Sequence, residues 1–232
     1  MNRYYYDLHI HSALSPCSHG DMSPNNIINM SLLKGLDIIS VTDHNSAKNV
    51  EVTYNIAKKK DILVIPGIEV ETFEGIHLLC YFKRVTLLNK FAEIIYSNLP
   101  EIKNEEEKWG EQLIFDENDR IVDKETKLLL SSVKLNINEV IDKVHLFQGI
   151  VIAAHINRYA NGINTILGFI PEDLKISGIE ITQNEDDEKY QMYQKVINSD
   201  AHNLGEICEK TNSLILRDKT IDDFFTFFSG EA

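Results

Sequence analysis

The sequence predicts an α/β protein with a largely parallel sheet and a metal site at the C-terminal ends of its strands. Short runs of β-branched and apolar residues alternate with helix-periodic stretches, the pattern of strands joined by crossover helices. A length of 232 residues, with 43% hydrophobic and 25% charged residues, suits one sizeable folded domain. Most of the chemically informative side chains fall where a strand ends, which is where a parallel α/β fold gathers its site.

The aromatic run Tyr4-Tyr5-Tyr6 reads as a strand that leads into Asp7-Leu8-His9-Ile10-His11-Ser12. Residues two apart in a strand share a face, so Asp7, His9 and His11 project together and two imidazoles can close on one cation. His-x-His alone is a short pattern, equally readable as two histidines of an edge strand. Ser23 reads as an N-cap with Pro24 at the first helical position; Ile27, Ile28, Met30, Leu32 and Leu33 supply the apolar face, and Gly35 ends the helix. A strand over 37–41 runs into Thr42-Asp43-His44. After Ser46 a helix extends to Lys58-Lys59-Lys60, whose charges suit a solvated last turn.

The strand at 62–65 leads to Pro66-Gly67-Ile68-Glu69. A carboxylate beside an apolar strand is costly to bury unpaired, and a nearby cation removes that cost. A strand over 76–82 carries His77 at its start, where a plain core histidine is an equal reading. Residues 85–134 are more charged, with hairpin alternation around an acidic turn at 114–122, and read as an insertion that forms part of a lid. Asn136 caps a helix bearing Val140, Ile141, Val144 and Phe147, with Gly149 after its end; His145, in the body of that helix, reads as structural.

The strand at 150–154 delivers His155, then Asn157 and Arg158. Strand signals at 178–181 and 196–199 follow, the second ending in Asp200-Ala201-His202 with the same spacing of two. A strand at 213–216 and a helix through Phe224, Phe225, Phe227 and Phe228 read as closing, core-packing structure. Six of the eight histidines, His9, His11, His44, His77, His155 and His202, thus sit at strand ends, His77 alone at a strand start. That placement favours a metal site over scattered core histidines.

Composition narrows the classes. A formal net charge of −13 with few basic clusters disfavours nucleic acid and anionic membrane as partners. Cys17, Cys80 and Cys208 show no paired spacing, so a disulfide framework is not expected. No apolar run approaches the length that crosses a bilayer and Met1-Asn2-Arg3-Tyr4 lacks the order of a signal peptide, so the cytoplasm is the expected compartment.

Asp7-Leu8-His9-Ile10-His11-Ser12, Thr42-Asp43-His44, Pro66-Gly67-Ile68-Glu69, Ala154-His155-Ile156-Asn157-Arg158 and Ser199-Asp200-Ala201-His202 together resemble the ordered motifs of the PHP (polymerase and histidinol phosphatase) superfamily. The resemblance covers roughly positions 5 to 203 and implies a distorted (β/α)7 barrel binding two or three divalent metal ions, zinc, manganese or iron. It implies that His9, His11, Glu69 and Asp200 hold one metal. Glu69 bridges to a second held with His77 and His155, and a third lies near His44 and His202. Asp7 and Asp43 are implied to orient imidazoles.

The chain departs from the pattern at Ser15-Pro16-Cys17-Ser18-His19-Gly20-Asp21, where relatives supply a His or Asp ligand. Cys17 has the spacing of such a ligand and as a thiolate favours a softer metal such as zinc; His19 and Asp21 are the other candidates. The implied activity is hydrolysis of a small phosphorylated metabolite or nucleotide by a metal-activated hydroxide, with Arg158 gripping a phosphate oxygen or, in the plainer reading, making a surface ion pair. A metal-dependent C–N or C–O hydrolase and a non-catalytic, metal-stabilised binding module are the competing readings.

Overall fold

A computed structural model describes residues 1–182 and 190–229. The chain folds as β1 (Asn2–Ile10), α1 (Pro24–Leu33), β2 (Ile38–Val41), α2 (Val50–Ala57), β3 (Leu63–Val64), β4 (Gly67–Glu71) and β5 (His77–Tyr81). It continues through α3 (Val85–Asn98), α4 (Glu106–Trp109), β6 (Leu113–Phe115), β7 (Ile121–Lys124), α5 (Ile137–Leu146) and β8 (Ile150–Ala153). The rest is α6 (Ile163–Leu167), β9 (Gly178–Glu180), β10 (Lys195–Val196), β11 (Ser213–Leu216) and α7 (Ile221–Ser229). Among the described residues no helix is long and apolar enough to cross a membrane.

The fold is mixed α/β. One sheet has the order β11-β1-β2-β3 and a second β10-β9-β8-β5-β4, while β6 and β7 form the expected hairpin. The ladders among the described residues do not run round a closed ring; isolated parallel bridges, His44 to Glu69 and Ile10 to Ala201, join the sheets at the rim where the site lies.

The expectation of a largely parallel sheet needs correction at two strands, β11, which is antiparallel to β1, and β5, whose direction resolves the oddity of His77. β5 runs antiparallel to both β4 and β8, whereas β1, β2 and β3 are parallel, as are β8, β9 and β10. The start of β5 therefore lies on the same rim as its neighbours' ends, and Glu71 pairs directly with His77.

Strand alternation then sorts the side chains. Ile68, Val70, Leu78 and Cys80 face outward onto Leu88, Phe91 and Ile95 of α3 and Val140, Ile141 and Val144 of α5. Leu79 and Tyr81 face an inner cluster that Phe224, Phe225 and Phe228 of α7 close from below. In β1 the register with β2 shifts between Asp7 and Ile10. Tyr6 and Leu8 pack in the inner cluster, whereas Ile10 packs outward with Ile27, Ile28 and Ile56. The irregularity re-aims consecutive side chains, as bulges beside functional sites do.

Two local expectations change in detail. Ser23 holds the N-cap position, but its hydroxyl goes to Asp119, whose other oxygen accepts from the Asn25 N–H, so the hairpin turn satisfies the start of α1. After α5 it is Gln148, at φ 59°, that takes the left-handed turn. Gly149 is needed for space instead, since a Cβ there would stand 2.6 Å from Val144 and 2.7 Å from the Tyr81 carbonyl oxygen.

Residues 85–134 are anchored at several points. Asn45 donates to the carbonyls of Leu129 and Ser131, Asn49 donates to that of Leu113, and Lys48 pairs with Glu125. Gly67 of β4 leaves room for a side chain of β2: a Cβ there would lie 2.4 Å from Ser40 Oγ. Gly67→Ala is expected to cost roughly 1–3 kcal/mol through overpacking, read as a lower denaturation midpoint at unchanged slope. An unchanged midpoint would show that the two strands can part freely.

Candidate metal centre

The site forms where the ends of β1, β2, β4, β8 and the segment after β10 meet the start of β5. Glu69, fully buried, is its hub. Its Oε1 lies 2.9 Å from His77 Nδ1 and 3.3 Å from both His9 Nε2 and His155 Nε2. Its Oε2 lies 2.9 Å from His44 Nδ1 and 3.4 Å from His11 Nε2. Asp200 Oδ1 approaches His11 Nε2 at 3.0 Å and His9 Nε2 at 3.3 Å, and those two nitrogens are 3.1 Å apart.

Only some of these contacts are aligned as hydrogen bonds, namely His9 Nε2 with His11 Nε2, His11 Nε2 with Asp200 and His155 Nε2 with Glu69. His44 Nδ1, both ring nitrogens of His77, His155 Nδ1 and Glu69 Oε2 are buried without a hydrogen-bond partner. Orphaned buried polar atoms carry a desolvation cost and are rare in native interiors. Ligands about 2.1 Å from one cation stand roughly 3.0–3.4 Å apart at octahedral and tetrahedral angles. The observed separations therefore fit donors sharing a cation. Among the described residues three convergent groups arise: His9, His11 and Glu69; His44, Glu69 and His77; and His11, His44 and His202.

Outer partners set which nitrogen each ring offers. His9 Nδ1 lies 3.1 Å from both oxygens of Glu180, leaving Nε2 for the cluster. His11 Nδ1 lies 3.0 Å from Ser15 Oγ, and that hydroxyl donates to Asp43 at 2.7 Å, so Asp43 orients the ring through a relay. Such partners fix the tautomer and raise ligand basicity. Asp7 does something other than expected. Its carboxylate accepts from the Ser199 hydroxyl and the backbone N–H groups of Ser199 and Cys208, so it holds the loop before Asp200 rather than an imidazole.

Burial lowers the His9, His44 and His77 imidazoles, but Glu69 and, at His9, Glu180 and Asp200 outweigh it and hold them above the usual imidazole range, positive charge that a bound cation would replace. Burial tends to raise the Glu69 carboxyl, but His77, His9 and His44 reverse this and hold it well below the carboxylate range. Burial, aided by His44, pushes His11 down to about 3, so its ring stays neutral with a free lone pair. Burial raises the Cys17 thiol, yet hydrogen bonds with His202 and His44 bring it down to about 7. Three non-glycine residues here, Asn45, His155 and Asp200, have positive φ of 51°, 27° and 52°. Strained backbone of this kind concentrates at functional sites.

The remaining candidates separate cleanly. Cys17 is exposed and lies close enough to His202 and His44 for them to lower its thiol, without joining any of the three groups, while His19 and Asp21 pair with each other at 3.4 Å on exposed surface. Arg158 is half exposed and ion-pairs with the free oxygen of Asp200. Its guanidinium borders an open cleft of about 560 Å³ lined also by His155, Thr182, Asn198, His202 and Glu206. His145 lies exposed in the last turn of α5, away from the cluster. Sequence reasoning missed Glu180 and Ser15. Glu180 carried the same signal as Glu69, a carboxylate inside an apolar strand, with no histidine beside it to draw notice.

The PHP domain model matches residues 7–209. The chain belongs to the PHP domain family. It is 30% identical over 77 residues, 32% of this chain and 27% of the other, to a 5'-3' exoribonuclease of Haemophilus influenzae. Its fold is similar to that of the lesion-specific Endonuclease Q from Pyrococcus furiosus, with a TM-score of 0.74 at 18% identity, covering all of this chain and 57% of that one. An Endonuclease Q complex with a 27-mer duplex substrate carrying an abasic lesion gives 0.72 at 17% identity. A metal-dependent phosphoesterase from Bifidobacterium adolescentis gives 0.60 at 15% identity, covering 97% of this chain and 95% of that one. This PHP chain thus spans little more than half the length of Endonuclease Q and about a quarter of the exoribonuclease.

The likeness to Endonuclease Q overturns the expectation that nucleic acid is disfavoured as a partner. In that protein the same fold takes a DNA duplex as substrate. Net charge is a weak guide here, since carboxylates that bind cations would count toward −13 without presenting that charge to a ligand.

If Glu180 orients His9, Glu180→Ala is expected to weaken metal binding by roughly 10–100-fold in a manganese or zinc titration, while His145→Ala binds as the parent does. Equal affinity in Glu180→Ala would remove it from the site.

Proposed function

We propose that this PHP chain is a metal-dependent phosphoesterase that hydrolyses a phosphoric ester held in the Arg158-bordered cleft. The observation that supports this most is the buried Glu69 carboxylate ringed by imidazole nitrogens at 2.9–3.4 Å, several of them without hydrogen bonds. His9, His11, Glu69 and Asp200 would hold one divalent cation, Glu69 with His77 and His155 a second. His44 and His202 with Cys17 would hold a third. Bound cations of this kind supply Lewis acidity and an activated water. The two sheets, bridged at the rim, are read as a distorted barrel around them.

The chain's own groups divide the remaining work. One oxygen of Asp200 faces His9 and His11 while the other takes Arg158, so the guanidinium is fixed beside the cluster with further N–H donors turned to the cleft. Those donors suit the non-bridging oxygens of a phosphate. Glu180 and the Asp43–Ser15 relay hold two imidazoles in the donor tautomer. A cleft of about 560 Å³ accommodates a unit the size of one nucleotide, free or at the end of a strand. A small phosphorylated metabolite or nucleotide is one reading of the substrate. The likeness to Endonuclease Q favours a second, a phosphodiester in nucleic acid.

The test is phosphate or nucleotide release by metal-stripped protein resupplied with manganese, zinc or iron. The panel comprises p-nitrophenyl phosphate, histidinol phosphate, nucleoside mono- and bisphosphates, a 5'-phosphorylated oligonucleotide and an abasic duplex. Metal-dependent turnover lost in Glu69→Gln and Asp200→Ala is expected, with Arg158→Ala raising KM more than it lowers kcat. Normal turnover in Asp200→Ala, or no release from any substrate despite stoichiometric metal, would sink the proposal. For the third site, cobalt-loaded protein should show a sulfur-to-metal charge-transfer band absent from Cys17→Ser; a band that persists would exclude Cys17 as a ligand.

A further inference from the structure

His9 and His11 each have a carboxylate behind them, and the structure offers one behind His77 too. Glu71 lies on the same face of β4 as Glu69, two residues on, and pairs across the ladder with His77. His77 Nδ1 stands 2.9 Å from Glu69 Oε1, and its other nitrogen, Nε2, stands 3.5 Å from Glu71 Oε2. Neither ring nitrogen of His77 has a hydrogen bond, and the ring is buried. A buried imidazole with nothing on its outer nitrogen is an unstable arrangement, and closing a few tenths of an ångström to Glu71 removes it.

Glu71 is itself held from the segment 85–134. Ser132 Oγ donates to Glu71 Oε1 at 2.6 Å, and the Val133 N–H donates to the Glu71 carbonyl at 2.9 Å. The Glu71 N–H donates to Asn45 Oδ1, and the Asn45 amide reaches back to Leu129 and Ser131. The carboxylate is thus steered from its free end while its backbone is fixed on both sides. The geometry repeats the Asp43–Ser15 pair behind His11, a serine and a carboxylate in series, with their order reversed.

We infer that Glu71, steered by Ser132, accepts the Nε2–H of His77 and thereby presents Nδ1 to the metal cluster, which makes the inserted segment part of the frame of that site. Glu71 is a positioning residue here, since Glu69 and not Glu71 stands on the cluster side of the ring. This rests on the metal-site reading above. It assigns the segment 85–134 a role, fixing one ligand from behind, that does not require it to open and close.

The test compares parent, Glu71→Gln, Glu71→Ala and Ser132→Ala by metal titration and by nitrogen NMR of the His77 ring in zinc-loaded protein, with thermal unfolding in chelator as the folding control. Glu71→Ala is expected to weaken binding by roughly 10–100-fold and to remove the His77 Nε2–H signature. Ser132→Ala and Glu71→Gln should fall between it and the parent, with unfolding in chelator little changed. Parent-like affinity together with an unchanged His77 tautomer in Glu71→Ala, or in Glu71→Gln and Ser132→Ala if Glu71→Ala does not fold, would overturn the inference. Loss of one equivalent of metal in Glu71→Gln, with the tautomer intact, would instead make Glu71 a direct ligand. Failure of the parent to bind metal would reject the metal-site reading itself, a distinct outcome.

Discussion

The structure depends on one constraint: the carboxylate of Glu69 sits fully buried in a ring of five imidazoles from four separate parts of the chain. A carboxylate at that depth is tolerable only if positive charge surrounds it. The imidazoles are themselves buried and compete for the same two oxygens. A protein that made such a cluster without cations would bear the cost of several orphaned polar atoms. With cations, the orphaned atoms that face the centre of the ring, His44 Nδ1, His77 Nδ1 and Glu69 Oε2, would gain partners. The layered apolar core, the bulge in β1 and the inner cluster closed by α7 serve to hold these groups within a few ångströms of one another.

Direction of chain matters as much as composition. Had β5 run parallel to its neighbours, His77 would lie at the opposite rim, and Glu69 would lose one of its two nearest nitrogens. The antiparallel β4–β5 pair also brings Glu71 opposite His77, so one reversal of direction places both a ligand and the group behind it. Gly67 permits the approach of β4 to β2 that joins the two sheets beside His44 and Glu69. Negative charge spread through the cluster explains why a chain with net charge −13 need not repel an anionic substrate once cations are bound.

Much of this was legible in the sequence. The five strand-end motifs held most of the side chains that the fold gathers around Glu69, because histidine and carboxylate at the end of an apolar run are conspicuous, and periodicity marked most strands and the helices α1, α2, α5 and α7 but not α3, α4 or α6. What could not be read were features set by tertiary geometry. The antiparallel course of β5 leaves no local mark, so His77 looked misplaced. Glu180 resembled any polar residue interrupting a strand until the fold brought it to His9. Asp7 was read as an imidazole partner because spacing shows which face a side chain takes, whereas its actual partners, Ser199 and Cys208, lie some 190 to 200 residues further along. The segment 85–134 read as a charged excursion, yet α3 within it buries Leu88, Phe91 and Ile95 against β4 and β5.

Anomalous X-ray diffraction from crystals of the protein grown with manganese or zinc tests the central claim most directly. The account predicts peaks on either side of the Glu69 carboxylate, one within bonding distance of His9, His11 and Asp200 and another beside His77 and His155. Peaks elsewhere, or none at metal concentrations that saturate binding in solution, would contradict it.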